Sequence, residues 1–197
     1  MSAQPVALPT LEEYLAIERQ APTRHEYRNG LVFAMAGGSR THDLIAAQAI
    51  TRLTLAVEDK PCRAHGGTLQ IYIAAHNVAL YPDAMVICGE DLFAKGRADL
   101  VANPLLIVQV LSPSTEAYDR GRKFEYYRAL PSLREYILIS QDQPQVERFS
   151  RQADDSWQIS VLRGLQEALP LASINTSIPL GSLYAKVEWP EEGTTPQ

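Results

Sequence analysis

The chain has 197 residues, of which 46% are apolar and 21% charged, a balance that excludes a disordered or fibrous polypeptide and gives one domain room for a sizeable core. Acidic residues outnumber basic ones, 23 to 18, for a net charge of −5, so the overall charge does not announce a nucleic-acid binder and such a role needs a local basic patch. No apolar run reaches the roughly 18 residues that a membrane-spanning helix needs, and the N-terminus lacks the basic segment and apolar run of a signal peptide.

In chain order, the first expected element is a helix opened by Thr10 and Glu13, which form a capping box, with Leu11, Tyr14 and Leu15 on its apolar stripe. Asn29-Gly30 then predicts a two-residue hairpin turn between His25–Arg28 and Leu31–Met35, since both positions tolerate positive φ. Ile45, Ala46, Ala49, Ile50, Leu53 and Val57 fall at helical spacing and predict a helix from about Thr41 to Glu58, ended by Pro61. Four strand-like runs follow: Leu69 to Ile73, Ala84 to Cys88, Leu105 to Leu111 and Tyr136 to Ser140. The third is almost wholly apolar, as a central strand buried on both faces must be. A helix from about Thr115 to Leu130 separates the last two, and strands at Gln145–Phe149 and Trp157–Leu162 and a short segment near Leu180–Lys186 close the chain. The order mixes meander strands with one crossover and predicts an α/β fold with a mixed sheet. Residues 1–189 are expected to form one domain, and the polar tail 190–197 to be disordered. The two cysteines, Cys62 and Cys88, have no second pair to complete a zinc site; they suggest no disulfide and fit a reducing cytoplasm.

The chemistry-bearing positions lie around the central run. Tyr81-Pro82-Asp83 precedes a strand, and because proline cannot sit inside a central ladder, Asp83 belongs at a strand start. An isolated Pro-Asp is more often a turn or cap. Gln109 interrupts Leu105–Leu111 and shares a face with Ile107 and Leu111. A buried amide must be satisfied, either by nearby backbone or by lining a polar site. Asp119, Lys123 and Tyr127 follow at spacings of four on the next helix and share one stripe. Alone, Asp119 and Lys123 read as an exposed ion pair, and Tyr127 as core. Arg120, Arg122, Lys123, Arg128 and Arg134 make this helix locally basic, which suits phosphate contact but equally a solvated face. His42, at a helix start, is expected to be exposed or near the cap, with contact to DNA phosphate the lesser reading, and His65 and His76 have no spaced partners for a metal site.

Taken together, Tyr81-Pro82-Asp83, Leu106 to Thr115, Asp119-Arg120, Lys123-Phe124, Tyr127-Arg128 and Leu133 to Tyr136 resemble the Uma-two family of restriction-endonuclease-like proteins. His25 to Gly30, Ala34 to Gly37 and His42 fit the same pattern, and the resemblance runs from about Thr10 to Val187. It implies a PD-(D/E)XK nuclease core, a mixed β-sheet flanked by helices, and a metal-dependent endonuclease that hydrolyses DNA. On that resemblance Asp83, Gln109 and Lys123 are the catalytic positions, with the lysine supplied by the helix rather than by Leu111. Asp83, Gln109 and Glu26 are the expected ligands of Mg²⁺ or Mn²⁺, and Asp119, Tyr127 and Arg120 support the site or touch phosphate.

The chain departs from the family at Gln109, where a glutamate is expected. An amide oxygen can ligate a hard cation but brings no charge, and the loss costs a few kcal/mol, roughly two to three decades in affinity or rate. The glutamine therefore leaves three readings open: an enzyme with a weakened metal site, a catalytically inactive nucleic-acid-binding protein, or a glutamine introduced at this position; a homo-oligomeric interaction protein, for instance a homodimer, on the same fold is a separate alternative.

Overall fold

The computed structural model describes residues 9–35, 37–94 and 97–189; the tail 190–197, expected to be disordered, lies outside the described residues. The elements in chain order are α1 (Leu11–Glu18), β1 (His25–Arg28), β2 (Leu31–Ala34), α2 (Arg40–Ala56), β3 (Cys62–Gly66), β4 (Gln70–Ile73), β5 (Val78–Leu80), β6 (Ala84–Cys88), β7 (Leu100–Val101) and β8 (Leu106–Leu111). There follow α3 (Glu116–Tyr118), a π-helical turn (Asp119–Lys123), α4 (Phe124–Tyr127), β9 (Glu135–Ser140), β10 (Gln145–Arg151), β11 (Trp157–Arg163), β12 (Ala168–Leu171), β13 (Thr176–Pro179) and α5 (Leu180–Leu183).

Local chemistry accounts for the starts and turns. The Thr10 hydroxyl accepts from the Glu13 amide and the Glu13 carboxylate accepts from the Thr10 amide, so α1 opens on the expected capping box. Asn29 and Gly30 take φ of 47° and 92°, the left-handed pair that folds β1 back on β2.

The strands form a six-stranded sheet, β11-β10-β9-β8-β6-β3, and a five-stranded sheet, β2-β1-β5-β4-β7, with β12 and β13 paired apart. The larger sheet is mixed: β8 and β9 run parallel, joined by the α3–α4 helix, and its other neighbours are antiparallel. Its central strands are buried on both faces, which explains the unbroken apolar run of β8. Leu106, Val108 and Val110 face a core shared with α2, β12, β13 and α5, while Ile107 and Leu111 face a second core shared with β4, β5 and Tyr127. Gln109 therefore lies on the Ile107 face, as strand alternation predicts. A third, smaller cluster seats α1 on the outer face of the five-stranded sheet through Tyr14, Leu15, Tyr27 and Tyr72.

One expectation is overturned. Cys62 and Cys88 stand directly opposite each other in the β3–β6 pair and are joined as a disulfide. Their spacing concealed this because strand register, not sequence distance, brings them together. Cysteine usage therefore gives no argument for a reducing compartment. No helix among the described residues is long and apolar enough to cross a membrane.

Candidate active site

Several separate parts of the fold meet at one cleft of about 480 Å³, the start of α2 with Ser39 and His42 among them. The β1–β2 hairpin contributes Glu26, Arg28 and Phe33; the start of β6 and the middle of β8 contribute Asp83 and Gln109; the helix after β8 contributes Tyr118, Asp119 and Lys123.

Asp83 is held by the neighbouring strand. The Val110 amide donates to its Oδ2 at 2.7 Å, and its own amide donates to the Val108 carbonyl. Among the described residues Oδ1 has no protein partner. Gln109 is 3% exposed, and its Nε2 donates to the Tyr81 carbonyl at 3.4 Å and to the Tyr127 hydroxyl at 3.3 Å. Its amide oxygen has no protein partner among the described residues. The buried amide thus meets both sequence readings: backbone satisfies its nitrogen, and the side chain lines a polar cleft.

Lys123 is almost wholly buried and is held by three oxygens: Glu26 Oε1 at 2.9 Å, Asp119 Oδ1 at 3.6 Å and the Tyr81 carbonyl at 3.3 Å. Burial alone would lower its pKa, but Glu26, Asp119 and Asp83 outweigh that and raise it above the ordinary lysine value. Burial pushes Glu26 up, yet the ammonium of Lys123 and the guanidinium of Arg28 hold it below its ordinary value. Asp119 is raised, chiefly by burial, against the opposing pull of Lys123.

The helix geometry places these groups. Asp119 and Lys123 bracket the π-helical turn, where the wider turn and the flanking α-helix put both side chains and Tyr127 on the inward stripe. The buried Tyr136 hydroxyl donates to the Asp119 carbonyl at 3.0 Å, satisfying a backbone group within that turn. Phe124 anchors the next turn among Tyr136, Phe149 and Trp157, with ring centroids 4.7–5.5 Å away.

Of the expected residues, the fold brings Asp83, Gln109, Lys123, Glu26 and Asp119 to the cleft, with Tyr127 buried directly behind Gln109. Arg120 is not brought there: it pairs with Glu116 at 2.6 Å and with Glu147 on β10. Glu26 arrives with both oxygens facing cations, Lys123 on Oε1 and Arg28 on Oε2 at 2.6 Å, and so stands as a counter-ion rather than an open ligand.

Two residues in the cleft, Arg28 and His42, were not among the site residues expected from the sequence. Arg28 lies between the rings of Phe33 and Tyr118, 4.2 and 3.9 Å from their centroids. Its position two residues after Glu26, hence on the same strand face, was the available signal. His42 Nε2 stands 3.7 Å from Asp83 Oδ2, a juxtaposition that no spacing in the sequence reveals.

The open oxygens of Asp83 and Gln109 suit a hard divalent cation, which needs one or two carboxylates besides water and substrate oxygens. They bring a single formal charge, and among the described residues no group of three or more His, Cys, Asp or Glu side chains is arranged to hold a metal.

A strand-start aspartate beside a central strand of a mixed sheet, facing a buried lysine from the crossover helix, defines a restriction-endonuclease-like α/β protein. Comparison with known sequences and structures agrees. The Uma2 family profile, described as "Putative restriction endonuclease", matches residues 11–180, and the chain belongs to that family. Two Synechocystis proteins described as uncharacterized, slr1290 and sll1609, are each 34% identical, over 88% and 79% of this chain and 90% and 88% of their own lengths. The crystal structure of a "putative nuclease belonging to DUF820" from Anabaena variabilis superposes with a TM-score of 0.72 at 16% identity, covering 90% of this chain and 98% of that one, and shares the fold.

Proposed function

We propose that this protein is a metal-dependent endonuclease that hydrolyses DNA phosphodiester bonds, with its metal site weakened at Gln109. The observation that carries this reading is the buried Lys123, held charged by three carboxylates at the edge of a cleft that also presents open oxygens of Asp83 and Gln109. A lysine is not buried without a reason that offsets its desolvation. Family membership supports the reaction class, and a second hollow of about 580 Å³ that includes Asp83 and His42 carries Arg24 and Arg40, cations suited to a polyanion.

In this reading Asp83 and Gln109 hold Mg²⁺ or Mn²⁺. The bound ion supplies Lewis acidity, activating water and offsetting phosphate charge. Lys123 holds the attacking water and the developing charge on the phosphate. Glu26 and Asp119 position the ammonium, and Tyr127 keeps the Gln109 amide oriented. Arg28, already clamped by two rings, meets the phosphate backbone. The exposed apolar edge strand β2, with Leu31 50% and Val32 42% exposed, is where a homodimer would pair, and light scattering tests that assembly.

Supercoiled plasmid incubated with Mg²⁺ or Mn²⁺ tests the activity. The native chain should nick slowly, Gln109→Glu should nick roughly a hundred- to a thousandfold faster, and Lys123→Ala should not nick. Cutting that survives in Lys123→Ala, or no cutting even by Gln109→Glu, overturns the reading. The amide itself favours a second reading, a protein that binds nucleic acid without cutting it. Under that reading only the glutamate variant cuts, and the native chain binds DNA with a steep salt dependence.

A further inference from the structure

His42 occupies a position shaped around its ring. It lies in the first turn of α2, where the Ser39 hydroxyl accepts from the His42 amide at 3.0 Å. The same hydroxyl donates to Gln141 at 2.6 Å, just beyond the end of β9, and so ties the start of α2 to the larger sheet. The ring packs on Gly38, where a Cβ would lie 2.9 Å from Nδ1, so the approach to α2 leaves space that only glycine provides. Among the described residues the imidazole has no hydrogen-bonding partner. Asp83 Oδ2 stands 3.7 Å from Nε2, beyond hydrogen-bond range.

Asp83 Oδ2 accepts from the Val110 amide and keeps a second lone pair, and its 3.7 Å separation from Nε2 falls within the span open to two donors of one cation. With metal–ligand distances near 2.1 Å, such donors lie roughly 3 Å apart when adjacent and roughly 4 Å apart when opposed. Both residues also line the cleft that holds the open oxygens of Asp83 and Gln109. Glu26, whose carboxylate could otherwise restore the missing charge, is occupied by Lys123 and Arg28.

We propose that His42 is a ligand of the divalent ion bound by Asp83 and Gln109, and that the site therefore takes Mn²⁺ or a later first-row ion in preference to Mg²⁺. The proposal rests on the metal-dependent reading above. Magnesium selects oxygen ligands, whereas imidazole favours the later ions, and affinity climbs from manganese onward for a nitrogen-containing set. A site with one carboxylate, one amide oxygen and one imidazole has lost the charge that suits Mg²⁺ and gained the donor that suits its competitors.

Calorimetric titration of the full chain with MnCl₂ and MgCl₂, without DNA, tests this, together with pulsed electron paramagnetic resonance of the Mn²⁺-loaded protein. The native chain should bind Mn²⁺ at least about tenfold more tightly than Mg²⁺. Its spectrum should carry nitrogen coupling from a bound imidazole. His42→Ala should lose that coupling and bind Mn²⁺ roughly ten- to a hundredfold more weakly, with Mg²⁺ affinity little changed. Gly38→Ala, which displaces the ring while keeping it, should weaken the coupling. Mn²⁺ binding that depends on Asp83, as shown by its loss in Asp83→Asn, but carries no nitrogen coupling in the native chain overturns the role of His42 and leaves the metal-dependent reading standing. Absence of any ion binding that depends on Asp83 overturns both.

Discussion

At the scale of single residues, the charged cluster at Lys123 sets the behaviour of the site. Glu26 is buried between two cations, and its pKa lies below the ordinary value of 4.5. A carboxyl lowered in the folded state contributes stability that is complete above its unfolded value and is lost as the pH falls through the folded one. Lys123, raised above its ordinary 10.5, contributes fully throughout the acid and neutral range and fades only as the pH rises through its folded value. Asp119, raised by burial, runs the other way, its ionisation costing stability as the pH rises from 3.8. Urea denaturation should therefore show an acid loss beginning below about pH 4.5, and Glu26→Gln should flatten it; an unchanged acid limb in that variant counts against the assignment. At neutral pH the same substitution should cost about 3 kcal/mol, since it leaves buried cations without their carboxylate. That Asp83, Gln109 and Lys123 meet at one cleft was legible because each broke a local pattern or matched a family motif. Arg28 and His42 were not, because their roles depend on rings and carboxylates brought in from distant segments.

At the scale of elements, the helix after β8 shows what periodicity can and cannot reveal. Spacings of four correctly put Asp119, Lys123 and Tyr127 on one stripe, but no sequence rule announced that a π-helical turn delivers the first two. Gly121 sits in that turn, exposed, with open space where a Cβ would point. Its φ is not among the positive ones. Gly121→Ala should thus stabilise the chain by about 0.5–1 kcal/mol by restricting the unfolded state. Differential scanning calorimetry should show Tm rising by roughly 1–4 °C. A fall in Tm would indicate that the turn needs glycine. The elements that were predicted lie within a few residues of their bounds, whereas β3, β5, β7, β12 and β13, two to five residues long, were missed because so short a run carries little measurable alternation.

At the scale of the molecule, layering was the part hardest to read, since two sheets and a third pair must be assembled from partners far apart in the chain. The edge of the larger sheet is fastened by Cys62–Cys88, which closes a loop with a sequence separation of 26. Closing such a loop restricts the unfolded chain, and its reduction should lower stability by roughly 3 kcal/mol. Thermal melts with and without reductant, read beside Cys62→Ser, should show matching losses; coincident melts would mean that the bridge does not form. A second fastening is Glu135, 2% exposed at the start of β9, which accepts from Arg148 at 2.7 Å and from the amide of Ser173 at 3.0 Å. Glu135→Ala should destabilise by about 3–5 kcal/mol, visible as a lower urea midpoint, because it strands a partly buried guanidinium.

The contact between Glu26 and Lys123 joins a strand of the five-stranded sheet to the helix that crosses the six-stranded one. The molecule therefore cannot be pared down to its six-stranded sheet and crossover helix. A fragment lacking the first hairpin would keep Asp83, Gln109 and Lys123, yet of the two carboxylates within ion-pair distance its lysine would keep only Asp119, across a cavity where the other used to be. The hairpin is less an embellishment on a restriction-endonuclease-like core than the keystone that lets a cation sit in the middle of it.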